Sequence, residues 1–309
     1  MKKYAQVANF NIVFGEDEKP MLDYFDTVIY PAFTSDIKKV SDGNEYLFKN
    51  VEISEGVGNK YILTGQFVKK TILEIKSDIN EEGELVEKDE KYSAAPYSSF
   101  AINLMNHRMI YVPNQKGSPT LANFRSSVKY VISNYIKEKN KDVDEKNKIA
   151  YALVNIVGIP SAKTMDDLLK NVDKINKLTL RFYPLNGDLD FSEVFGVITR
   201  DMREEVGNGE IVFKSPKSIN GVKTVIEKAA GTIDPILQVT TKGKSKATLK
   251  DYELSEKYEL EFNDNSDLED ESSQIINKMS TIDTLNFSND SHQEIYERNK
   301  VKIIPFVKK

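Results

Sequence analysis

Lysines supply the clearest chemical pattern in this chain. Lys214, Lys217, Lys223, Lys242, Lys244, Lys246 and Lys250 fall within 37 residues whose only acids are Glu227 and Asp234. An ammonium on a four-carbon stem is a flexible point charge, suited to phosphate oxygens rather than base edges. No aromatic residue interleaves with these lysines, so the pattern fits backbone contact on a duplex better than stacking on a single strand. Two plainer readings stand beside it: a solvated surface, or a patch that pairs with the chain's own acidic stretch at 251–290. Arg125 and Lys129, one turn apart on the polar face of a predicted helix, are candidates for the same basic surface.

Other chemistries find less support. The chain has no cysteine and only two histidines, which excludes disulfide frameworks, zinc ribbons, iron–sulfur clusters and thiol nucleophiles. His107, beside Arg108 at a predicted hairpin tip, reads as a turn residue or as a general base or phosphate contact. His292, between Ser291 and Gln293, reads as solvated. Glu74-Ile75-Lys76 has the local form of a nuclease Glu-x-Lys strand, but no second strand-borne carboxylate stands at a suitable distance to share a metal. No glycine-rich loop precedes a Lys-Ser or Lys-Thr pair, and Gly56 to Gly58 reads as a hairpin turn. The sequence therefore assigns no catalytic residue, metal or cofactor. A metal-dependent nuclease, or an interaction module that binds no nucleic acid, remains the alternative to nucleic-acid binding.

Composition bounds the elements that must carry the lysines. A chain of 309 residues, 39% hydrophobic and 29% charged, makes about two domains of ordinary soluble character. No apolar run approaches the roughly 18 residues of a spanning helix, and Met1, Lys2 and Lys3 lead into a mixed strand rather than a signal peptide. A cytoplasmic protein without membrane insertion is expected. The net charge of −5 hides a layout: residues 81–90 sum to −5, 91–200 to +6, 211–250 to +6 and 251–290 to −10.

Hydrophobic spacing predicts an α+β fold, with a β-rich N-terminal domain followed by an open α/β sandwich. Residues 1–140 read as strands, a short helix through Leu22, Phe25 and Ile29 stopped by Pro31, and a long helix from Leu121 through Tyr135. The stretch 81–90 reads as a weakly ordered loop or hairpin tip. Lys137 to Lys148 lacks apolar periodicity and reads as a linker. The second domain, 149–262, opens with a strand over Ala150 to Val157. It continues through helices at Met165 to Val172, Phe191 to Val206 and Ile219 to Ala229, with strands between them. Lys242 to Lys246 forms a hairpin tip that returns through Tyr252 to Phe262. An acidic tail, 263–309, carries a helix around Ile275 and Met279 and a strand over Val301 to Val307.

The order of these elements resembles the RexA-like phage-exclusion, or abortive-infection, proteins. The similarity rests on an N-terminal strand and helix, a hairpin led by Tyr46-Leu47-Phe48, then Ser98-Ser99-Phe100, Arg108 and the long helix. A second-half hairpin closing in Leu254-Ser255-Glu256-Lys257 adds to it. The resemblance implies a cytoplasmic, homodimeric antiphage defence protein that binds DNA with little sequence preference and signals to a membrane effector, without catalysis. It carries over only Lys257 and the basic positions near Lys214 and Lys242, and the acidic loop at 81–90 and the stretch after Asn263 depart from it.

Overall fold

The structure, a computed structural model, describes residues 2–58, 60–185, 209–255, 257–262 and 268–308. The helix expected over Phe191 to Val206 lies outside them.

Thirteen alternating residues, Lys2–Phe14, form β1, the strand on which the large sheet is built. It is followed by β2 (Lys19–Pro20), β3 (Lys39–Ser41), β4 (Asn44–Glu55), β5 (Tyr61–Ile79), β6 (Leu85–Ala94), β7 (Tyr97–Asn103) and β8 (Arg108–Pro113). Then come β9 (Ala152–Gly158), β10 (Val172–Phe182), β11 (Gly209–Lys214), β12 (Asp234–Thr241), β13 (Lys246–Lys250) and β14 (Lys257–Glu261). The helices are α1 (Tyr30–Phe33), α2 (Leu121–Lys139), α3 (Ala162–Leu169), α4 (Ile219–Ala229), α5 (Asp251–Leu254), α6 (Leu268–Ser280), α7 (Asp283–Asn286) and α8 (Asp290–Ile303).

The chain is α+β. A strongly curled antiparallel sheet runs in the order β14-β1-β8-β7-β5-β4-β3, and a second antiparallel sheet, β11-β10-β12-β13, carries helices later in the chain. β1 is long enough to serve several neighbours: Lys2–Gln6 pair with β14, Gln6–Asn9 with β8, and Ala8–Phe14 with β9. The strand expected to open the second domain thus joins the first sheet, because Val154 and Ile156 bury their side chains in the same core as Phe10 and Ile12. Lys137 to Lys148 then connects two parts of one core. Asn140 clips its far end, its Nδ2 donating to the Ile149 carbonyl and its Oδ1 accepting from the Ile149 N–H, both at 2.8 Å.

Phe124 on α2 is the hub of the large core. Its ring lies 5.2 to 5.7 Å from those of Phe100, Tyr111, Phe67 and Phe48, meeting Phe48 and Phe67 edge to face. Thr120 caps α2 in a reciprocal box with Asn123. The opposite sheet face, with Ala5, Val7, Ile110 and Val112, is covered by Ile275, Met279, Ile282 and Leu285 of the C-terminal segment. That segment is therefore a packed layer rather than a tail. It is clasped by a buried ion pair, Lys3 Nζ to Glu271 Oε1 at 3.0 Å, with Ser99 and Tyr97 hydroxyls donating to the same carboxylate.

Three further expectations change. Pro31 does not stop a helix; it sits in the first turn of α1, where its missing N–H is not needed, after a 3-10 turn at Met21–Tyr24 and a π turn at Phe25–Ile29. Val301 to Val307 ends α8 and turns, since the Asn289 capping box starts a helix that buries Tyr296 and Ile303 on one face. The stretch 81–90 is mostly strand: β6 pairs with the outer half of β5 through a turn at 80–84, where Gly83 takes a positive φ of 80°.

Candidate nucleic-acid interface

Period-two alternation divides the residues of the small sheet between its two faces. Leu178, Leu180 and Phe182 of β10, with Leu237 and Val239 of β12, pack under Met165 and Leu169 of α3 and Val222, Ile226 and Ala229 of α4. The other face takes the residues between them. Across its strands, Lys214, Lys177 and Gln238 form one register row; Val212, Thr179, Ile236 and Lys250 form the next; Glu210, Arg181 and Asp234 form a third.

Beyond the lysine row lies the β12–β13 turn. Thr241 N–H donates to the Ser245 carbonyl at 2.9 Å and Lys244 N–H to the Thr241 carbonyl at 2.8 Å, closing the loop. Lys242 N–H donates to the Asn171 carbonyl at 2.9 Å, which anchors the turn to the start of β10. The left-handed residue is Lys244, at φ 61°, and not Gly243. A side chain there is strained where glycine is not. Lys242, Lys244 and Lys246 are all exposed. Lys246 shares a shallow depression with Asn176, Gln238 and Thr248, whose amide and hydroxyl groups can accept or donate beside a bound anion.

Each residue singled out in the sequence has a definite place. Lys214 and the turn lysines 242, 244 and 246 lie toward the same end of the small sheet, and Lys217 is exposed just ahead of α4, which Ser218 caps. Among the described residues, no carboxylate forms an ion pair with Lys177, Lys214, Lys217, Lys242, Lys244, Lys246 or Lys250. Lys223 differs: its ammonium lies 2.6 Å from Asp166 and 3.6 Å from Glu227, which neutralise it and hold its pKa above the ordinary lysine value. Lys129 is exposed on α2.

Arg125 turns to the junction between the sheets. Its Nη2 donates to Asp251 Oδ2, and its Nη1 lies 3.7 Å from Asp234 Oδ2. The same Asp251 oxygen accepts from Gly158 N–H at 2.9 Å. A Cβ at Gly158 would meet the Asp251 carbonyl and the Ser255 Cβ at 2.8 Å, so glycine permits this approach. Burial, then the neighbouring Asp251 carboxylate, push the Asp234 carboxyl up to about 6, against the pull of Arg125, Arg181 and Lys250.

Lys177 has no place in the sequence-based lysine cluster, although its signal was present. Leu178, Leu180 and Phe182 share the helix-covered face, so Lys177, Thr179 and Arg181 must share the other. The other lysines are neighbours along the chain, whereas Lys177 reaches them through strand pairing.

Of the two histidines, His107 keeps its expected place in a turn and His292 does not. His292 is buried, and its Nδ1 accepts from Asn289 N–H at 3.3 Å in the α8 cap, so the solvated reading gives way to a capping role. His107 occupies the β7–β8 turn at φ 58°, and its ring meets that of His292 edge to face at 5.9 Å. Glu74 lies on the exposed outer half of β5 with Lys76 and Lys91 each at 3.1 Å, and hydrogen bonds from these ammoniums, Lys91 foremost, pull its carboxyl below the usual range. Among the described residues no group of three or more His, Asp or Glu side chains is placed to hold a metal ion. No helix among them is long and apolar enough to cross a membrane. No protein-family model matches the chain, and no curated protein matches it.

Proposed function

We propose that the protein binds nucleic acid, duplex DNA above all, through the lysine face and turn of the small sheet, with little sequence preference. The observation that carries this reading is the cross-strand placement of Lys177 opposite Lys214, continued by the turn lysines without a carboxylate to balance them. Like charges set opposite each other cost stability, and a phosphate backbone laid across them removes that repulsion. Six lysines, at positions 177, 214, 242, 244, 246 and 250, give a log affinity against log salt slope of up to roughly −5 on B-DNA. Fluorescence anisotropy of labelled duplexes of unrelated sequence, at several salt concentrations, tests it. Equal affinities with a steep slope are expected, and no binding at low salt would overturn the reading.

The biological setting we propose follows the RexA-like resemblance: antiphage defence in the cytoplasm by a homodimeric protein that signals to a membrane effector once DNA is bound. Plaque counts on cells carrying the parent or the Lys242, Lys244 and Lys246 to alanine variant test that setting, with protection expected only from the parent.

A further inference from the structure

The outer half of β5 and the whole of β6 form an arm. Among the described residues, β5 beyond Lys70 has no sheet neighbour except β6, and β6 pairs with β5 alone. A two-stranded ribbon is marginal in water unless something covers it. This one leaves large apolar side chains uncovered: Leu73 opposite Tyr92 and Ile79 opposite Leu85, with exposures of 56, 50, 68 and 77%. Its charge is also one-sided. Residues 71–94 hold eight acids and three lysines, and the lysines are used within the arm by Glu74, Asp78, Asp89 and Glu90. Glu81, Glu82, Glu84 and Glu87 form no ion pair with any described residue.

The lysine face of the small sheet is the arm's complement. Its lysines form no ion pair with any described carboxylate, and the row next to Lys177 and Lys214 holds Val212, 38% exposed, and Ile236, on either side of Thr179. Each surface thus pairs a strip of apolar side chains with uncompensated charge of opposite sign. Within one chain the arm's acids do not meet these lysines, so the complementary surface is supplied by another copy. We propose that the acidic arm of one copy docks on the lysine face of a second, in a two-fold exchange that shields the face from nucleic acid. Two-fold symmetry satisfies both arms and both faces at once and closes the assembly at two copies. The shielding rests on the nucleic-acid reading above; the docking does not.

Sedimentation velocity on the full chain, without nucleic acid, tests the docking. The parent should form a dimer that dissociates as salt rises. Reversing the arm (Glu81, Glu82, Glu84 and Glu87 to Lys) or the face (Lys177, Lys214, Lys242 and Lys246 to Glu) should weaken self-association by more than about tenfold, since like charges then meet. An equimolar mixture of the two variants should form a heterodimer, because each arm again finds a face of opposite sign. Seven of the eight side chains are exposed and Lys177 is half-buried; circular dichroism checks the folding of the variants, and neutral Glu to Gln and Lys to Gln versions replace any variant that misfolds. A parent that stays monomeric at low salt, or a dimer indifferent to arm reversal, would overturn the proposal. In the competition arm, the arm Glu to Gln variant should bind duplex DNA more tightly than the parent. Self-association that follows the charge swaps while no variant binds DNA would uphold the docking and overturn the functional reading.

Discussion

Lys177 and Lys214 are direct cross-strand partners on the face of the small sheet opposite the α3 and α4 helices. Two ammoniums in that register disfavour the sheet they belong to, by an amount on the scale of about 0.2 to 1 kcal/mol per cross-strand pair. Stability and binding therefore pull in opposite directions at this position. Lys214→Glu should raise the urea midpoint slightly by making an opposite-charge pair, and should weaken duplex binding and flatten its salt dependence. A variant that loses stability and keeps full affinity would mean that Lys214 supports the sheet and touches no phosphate.

The part of this arrangement visible in the sequence is the part with a period. The alternation of Leu178, Leu180 and Phe182 gives β10 and its helix-covered face, and the α2 stripe through Phe124, Val128 and Ile132 gives the helix over the large core. What escapes is long-range pairing. Nothing local in Ala152–Gly158 distinguishes a strand that opens a new sheet from one that pairs with β1, because both bury the same alternate residues. The acidic content of 251–290 suggests a solvated tail, yet Glu271 is buried by a lysine 268 residues away. Arg125 looks like a polar-face cation on α2 until Asp234 and Asp251, more than a hundred residues later, are folded beside it.

Asp234 makes the junction respond to pH. Its folded-state carboxyl, up to about 6 from an ordinary 3.8, holds a proton more tightly than in the unfolded chain. Between pH about 4 and 6 the folded form binds more protons, so this group's stabilising contribution is fully present below the unfolded value and is lost as pH rises through 6. Two pKa units set an upper scale of about 3 kcal/mol for that loss. Asp234→Asn should therefore be at least as stable as the parent at pH 7, with Arg125 still held by Asp251, and should lose its advantage near pH 4. Urea denaturation of both proteins across that range measures the difference. A constant gap between the two curves would show that Asp234 titrates normally.

Glu271 fastens the C-terminal layer to the sheet by accepting from Lys3, Ser99 and Tyr97. Lys3 and Glu271 are both nearly inaccessible, at 7 and 4% exposure, so removing one leaves the other buried without compensation. Glu271→Ala should cost about 3 to 5 kcal/mol. Replacing both, as Lys3→Met with Glu271→Leu, should recover most of that loss, since an apolar pair of similar volume carries no desolvation penalty. Denaturation of the two variants decides between a charge-specific clasp and a site that tolerates any truncation. If the double variant is no better than the single, the packing of α6, and not the ion pair, is what Glu271 serves.

The turn lysines allow charge and backbone to be separated. Replacing Lys242, Lys244 and Lys246 together by alanine should weaken binding similarly across unrelated duplexes and flatten the log affinity against log salt line by up to roughly three units. Lysine and alanine are strained alike in the left-handed conformation that Lys244 holds at φ 61°, so the triple alanine variant changes charge and leaves the strain in place. Lys244→Gly relieves that strain. Glycine adopts the angle freely and should stabilise the protein by up to about 1 kcal/mol, while removing one charge and about 0.9 of a unit from the salt slope. Titrations of the parent, the glycine variant and the triple alanine variant, each at several salt concentrations, place the three slopes in order. If all three coincide, the turn is an ordinary solvated hairpin, and the lysine face loses the contacts that its reading as a phosphate-binding surface requires.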